Sequence, residues 1–167
     1  MFEVGQYVVY RVSLCVVSEI KKNYYKNKDY YFLDPVNDDS LTIKVPVEKS
    51  DKVMREVITK EEIKEIIKDI PNIEVIKSEL RNIENEYKKL MKSGTHRDLI
   101  KIIKTAYLRN EERLNNNKKI SETDDNYFKK AEKIIYTEFS VALGLTYDET
   151  KDYIVERVLF LKEKANN

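Results

Sequence analysis

The chain has no tryptophan, one cysteine, one histidine and only three glycines and three prolines among its 167 residues, and each shortage closes off a class of chemistry. Cys15 alone can form neither an internal disulfide nor a cysteine-based zinc cluster within one chain. As a small apolar residue in a strand it needs no further role. His96 alone supports neither a Ser-His-Asp triad nor a two-histidine metal site, and it reads as a helix-surface residue. Gly5, Gly94 and Gly144 lie far apart, so no glycine-rich phosphate loop can be assembled. No run approaches the roughly 20 apolar residues of a membrane helix, and the N-terminus lacks the charged-then-apolar layout of a signal peptide. A cytoplasmic location is therefore expected. Carboxylates are plentiful, but Glu61, Glu62 and Glu65, like Asp124 and Asp125, fall where the start of a helix favours acid. No catalytic residue, cofactor, metal or small-molecule substrate is expected.

What is present is a chain 41% hydrophobic and 37% charged, a composition that folds. Its net charge of +1 is unevenly spread. Residues 80–120 carry eleven Lys+Arg against five Asp+Glu, whereas the segments on either side each carry a slight acidic excess. A local basic excess in a balanced chain is the pattern of a face that meets a polyanion.

Residues 6–12, 14–20, 29–33, 41–47 and 52–57 are short runs rich in Val, Ile, Tyr and Leu, the pattern of strands. Arg11-Val-Ser13, the polar stretch 21–28 and Asp34-Pro-Val-Asn-Asp-Asp-Ser40 are the expected reversals. Four or five such strands in fewer than 60 residues predict a small, strongly bent barrel of the SH3-like or Tudor-like type. From Thr59 onward the period changes to that of helices. Thr59-Lys-Glu-Glu62, Thr95-His-Arg-Asp98, Ser121-Glu-Thr-Asp124 and Thr146-Tyr-Asp-Glu149 are N-terminal caps, and Pro71, Gly94 and Gly144 are stops. They predict helices over residues 60–70, 73–91, 96–114, 122–143 and 147–164. The expected architecture is α+β, with a β-barrel in residues 1–58 and an all-α bundle in residues 59–167.

At 100° per residue the third helix places Leu99, Ile102, Ile103 and Ala106 on one side and Arg97, Lys101 and Lys104 in a narrow arc on the other. Arg81, Lys101, Lys104, Arg109, Lys118 and Lys119 are the candidate phosphate contacts of this basic region. Tyr24, Tyr25, Tyr30 and Tyr31 could line an aromatic cage, although alternating tyrosines in strands more often pack across a sheet.

Met1-Phe-Glu-Val-Gly-Gln-Tyr-Val-Val-Tyr10, Leu41-Thr-Ile-Lys-Val-Pro-Val47, Lys52-Val-Met-Arg55, Lys92-Ser-Gly94 before Leu99-Ile-Lys-Ile-Ile-Lys104, and Ile120-Ser121 before residues 128–142 occur in an order that resembles the CarD/CdnL family of bacterial transcription regulators. The likeness is greatest to its clostridial branch. The resemblance implies a Tudor-like N-terminal domain, shared with transcription-repair coupling factors, that docks on the RNA polymerase β subunit. It also implies a helical domain that contacts promoter DNA at the upstream edge of the transcription bubble and stabilises the open complex. The matching polymerase-facing residues are Lys44, Lys21 and Lys22. Many relatives carry a tryptophan wedge at the start of the DNA-facing helix. This chain has none, and Leu80, or Ile76 nearby, stands as the weaker apolar substitute. Family members usually have a glycine in the turn after Val-Val-Tyr, whereas Arg11-Val-Ser-Leu14 has none. An adaptor that keeps the N-terminal domain but has lost DNA binding is the alternative.

Overall fold

A computed structural model describes residues 1–77 and 80–166, apart from the side chains of residues 80 and 159–166. The chain divides into two compact units, Met1–Ile58 and Thr59–Asn167.

The first unit is one antiparallel sheet of β1 (Tyr7–Tyr10), β2 (Ser13–Tyr25), β3 (Lys28–Pro35), β4 (Ile43–Pro46) and β5 (Met54–Glu56), in the order β4-β3-β2-β1-β5. No ladder joins β4 to β5, so the sheet is open and the expected barrel does not close. Closure fails where β4 ends at Pro46, which has no N–H to give a neighbour. The chain then enters a 3-10 turn, Val47–Lys52, and leaves only three residues for β5. Val8, Cys15, Val17, Tyr31, Leu33, Val45 and Met54 form the core on one face. Burial pushes the Cys15 thiol up to about 11, in keeping with a packing role.

Two features of β2 shape its outer face. A register shift between Val17 and Glu19 reverses the alternation: Cys15 and Val17 point inward before it, and Ile20, opposite Tyr31, points inward after it. Glu19 and Lys21 thereby pair with Phe32 and Tyr30 on the other face. The stretch 21–28, expected as a loop, is strand as far as Tyr25. Lys26 and Asn27 alone make the reversal, at φ 51° and 57°. Two successive positive φ angles match the twist of the flanking strands, and asparagine tolerates that region better than most residues.

In the second unit the described helices are α1 (Lys60–Asp69), α2 (Ile83–Ser93), α3 (His96–Asn115), α4 (Glu122–Leu143) and α5 (Tyr147–Asn166). Thr59 accepts from the Glu62 N–H while the Glu62 carboxylate accepts from the Thr59 N–H, a complete reciprocal cap. Thr95 and Ser121 cap α3 and α4 from one side only, and Gly94 and Gly144 end α2 and α4 at φ 64° and 67°. The second helix begins ten residues later than its hydrophobic spacing suggested. Residues 73–77 instead run without regular structure, tied to α3 by the Ile76 N–H donating to Thr105 Oγ1 at 3.0 Å.

Candidate docking surfaces

The outer face of the first unit carries a compact basic and aromatic cluster. Phe32 and Tyr30 on β3 stand opposite Lys44 and Pro46 on β4 and opposite Glu19 and Lys21 on β2. Tyr24 lies edge-on to both rings, at 5.0 Å from Phe32 and 5.5 Å from Tyr30. The Lys21 ammonium sits 4.5 Å from the Phe32 centroid, and that of Lys44 lies 5.3 Å from Tyr24 and 5.5 Å from Phe32. Lys44 Nζ also donates to the Tyr24 hydroxyl at 2.9 Å, which lowers the phenol from its ordinary value.

Two of the three lysines expected to face a protein partner thus converge on one patch. Lys22 is exposed, but no contact among the described residues joins it to the cluster. A methylammonium cage is a poor use of these rings, because two of the chain's own cations already lie over them. Tyr31, counted toward such a cage, is instead 1% exposed in the core and accepts from the Phe2 N–H at 3.1 Å. What remains is a base of edge-on rings carrying two ammonium groups, that of half-buried Lys21, which also lies 3.6 Å from Glu19, and that of exposed Lys44, beside β4, whose outer edge has no partner strand among the described residues. Such a surface offers unpaired backbone groups to an incoming strand and cations to its acidic side chains.

Three basic residues of the helical unit, Arg97, Lys104 and Arg109, are held by partners within it. Lys104 Nζ donates to the carbonyls of Ile70 at 3.0 Å and Ile73 at 2.8 Å, and Arg97 pairs with Asp69. Two of the three residues of the arc read from periodicity, Arg97 and Lys104, therefore turn to the C-terminal end of α1, where Pro71 interrupts the helix. Arg109 Nε donates to both oxygens of Asp124, at 3.2 and 3.1 Å, and Asp124 is fully buried. Tyr87 donates its hydroxyl to the same carboxylate at 2.7 Å, and burial together with that acceptor raises the phenol far above its usual range. Asp124 is thus the shared acceptor of α2 and α3 at the start of α4. Its place at the third position of α4 masks this role in the sequence, since acid there is ordinary.

Of the other candidates, Arg81, Lys118 and Lys119 are exposed and Lys101 is half-buried. Leu80 opens a 3-10 turn, Leu80–Asn82, but its side chain lies outside the described residues. Ile76 is half-buried on the irregular segment. A notch of about 160 Å³ lies between Arg109, Arg113 and Lys118. The last carbonyls of α3 there are already met by the N–H groups of Asn116, Asn117 and Lys118 and by Asn116 Nδ2. Arg113 and Lys118 are therefore not needed to cap the helix. His96, expected on the surface, is only 20% exposed at its side chain, with Nε2 2.8 Å from Oε1 of buried Glu138.

Among the described residues no three His, Cys, Asp or Glu side chains converge to hold a metal, and no helix is long and apolar enough to cross a membrane. Compared with known protein families and with curated proteins, the chain matches none.

Proposed function

We propose that this chain is a non-enzymatic transcription regulator, which docks the β4 edge of its first unit on the RNA polymerase β subunit and uses its helical unit to contact promoter DNA and favour the open complex. The observation that carries the reading is the unpaired β4 edge flanked by Lys44 and Lys21 on one aromatic base. Backbone pairing along the edge would supply register, and the two ammonium groups would select an acidic partner strand. The resemblance of the sequence motifs to the CarD/CdnL regulators supports the same assignment.

Within the helical unit Arg81, Lys101, Lys118 and Lys119, together with Arg113, are the proposed phosphate neighbours. Lys104 and Arg109 serve the fold. Electrophoretic titration with promoter duplex at several salt concentrations tests this part. The log–log slope is expected to be about −0.9 per phosphate neutralised, and Lys101→Ala/Lys118→Ala/Lys119→Ala should flatten it by up to about 2.7. A triple variant that binds like the parent at every salt concentration overturns these contacts.

The second reading, an adaptor without DNA binding, is favoured by one observation: Lys104 and Arg109, both candidate phosphate contacts, are committed to internal partners. Under that reading the parent chain shows no salt-dependent DNA binding in the same titration.

A further inference from the structure

Pro46 fixes which backbone groups β4 offers to a partner. In the antiparallel ladder with β3, Ile43, Lys44, Val45 and Pro46 stand opposite Leu33, Phe32, Tyr31 and Tyr30 in unbroken register. Opposed residues in such a ladder alternate between pairs that exchange both N–H···O bonds and pairs that exchange none. Pro46 has no N–H, so its pair with Tyr30 is of the second kind, and so, two residues back, is that of Lys44 with Phe32. Ile43 and Val45 therefore turn their N–H and C=O groups to β3, whereas those of Lys44 point to the free edge. Pro46 adds a carbonyl there but no donor. Lys44 is thus the one residue of β4 able to exchange both bonds with an incoming strand.

The side chains follow the same alternation. Lys44 stands on the outer face, whereas Val45 is buried and Ile43 half-buried against the core of the inner face. A partner residue abreast of Lys44, in a parallel or an antiparallel strand, puts its side chain on the outer face beside the ammonium group. Its two neighbours turn to the inner face, beside Ile43 and Val45. Among the described residues Lys44 has no carboxylate partner: its ammonium meets the Tyr24 hydroxyl and two rings, and Glu19 pairs with Lys21. Resting on the docking role given to β4 above, we propose that this edge reads its partner strand as a triplet, apolar, acidic, apolar, with the Asp or Glu abreast of Lys44. A second copy of the chain does not fit, because its own triplet, Ile43-Lys44-Val45, sets lysine against lysine.

The test is amide NMR on the full chain. Without a ligand, the Val45 N–H should exchange with solvent at least about tenfold more slowly than that of Lys44. The peptide Ser-Thr-Thr-Val-Glu-Val-Thr-Thr-Ser should shift the Lys44 amide and slow its exchange. Peptides with Val-Lys-Val or Ser-Glu-Ser at the centre should each bind at least about threefold more weakly. Lys44→Glu should reverse the preference between Val-Glu-Val and Val-Lys-Val, and Lys44→Ala, which keeps the N–H, should remove most of it. Lys44→Pro, which removes the edge donor, should abolish binding of every peptide. A protected Lys44 amide beside an open Val45 amide in the free chain overturns the proposal. So do equal binding of the three peptides, no shift with the Val-Glu-Val peptide at about 1 mM, or a preference that Lys44→Glu leaves unaltered. Retention of the RNA polymerase β subunit is scored separately. If the subunit is not retained, the polymerase reading falls while the peptide preference still upholds the triplet; if it is retained and the peptides bind equally, the triplet alone falls.

Discussion

Arg109→Ala should weaken the fold and leave DNA binding by the folded protein unchanged, the reverse of what a phosphate contact would show. The substitution strips both Nε contacts from a carboxylate that is fully buried and leaves it only the Tyr87 hydroxyl. Removing one partner of a buried ion pair costs about 3–5 kcal/mol, because the remaining charge stays desolvated. Tyr87 still donates to Asp124, so the lower end, about 3 kcal/mol, is expected. For a unit of this size that corresponds to a fall in melting temperature of about 12 °C. Urea denaturation gives the free energy directly, and DNA titration below the transition reads the affinity of the folded fraction. Tyr87→Phe/Arg109→Met/Asp124→Leu, which removes the whole polar group and keeps its volume, should recover most of the loss. A loss below about 1 kcal/mol, or a several-fold drop in DNA affinity with unchanged stability, would refute the structural role.

Lys104→Met should cost about 1–3 kcal/mol, chiefly through the carbonyl of Ile73, since that of Ile70 keeps the Ile73 N–H at 3.1 Å, and should speed amide exchange near the end of α1 in hydrogen-exchange mass spectrometry. Thr59→Ala should cost about 1 kcal/mol by urea denaturation, because it removes one half of the reciprocal cap. The Thr59 N–H holds the Glu62 carboxyl below its ordinary value. Its contribution is therefore present above the unfolded-state carboxyl range and lost as pH falls through the lowered folded value. Glu62→Gln should accordingly reduce the loss of melting temperature as pH falls through the ordinary carboxyl range of about 4.3 and below it.

The caps and stops of the helices were legible because they are local. Thr59, Thr95 and Ser121 each bond a backbone N–H three residues on, and Gly94 and Gly144 take the left-handed conformation that a helix end favours. The start of α2 was not legible, since residues 73–77 are held out of the helix by bonds from Lys104 and Thr105, about 30 residues further along the chain. Periodicity placed Arg97, Lys101 and Lys104 on one side of α3 correctly, but it cannot say what that side faces. The open sheet went unread for a similar reason: strand runs can be recognised one at a time, whereas closure depends on whether β4 and β5 pair. The docking patch was legible in part. Lys21 and Lys44 stood out, but their meeting over Tyr24 and Phe32 depends on the bulge at Val17 and Glu19, which leaves no mark in composition.

The most direct test is retention of the RNA polymerase β subunit by the immobilised chain, compared with Lys21→Glu/Lys44→Glu. Both substitutions lie on the outer face of the sheet, away from the core, so the melting temperature should hold. The parent is predicted to retain the β subunit and the variant to bind it at least about tenfold more weakly. A parent chain that does not retain the subunit, or a charge-reversed chain that retains it equally well, would contradict docking through this edge.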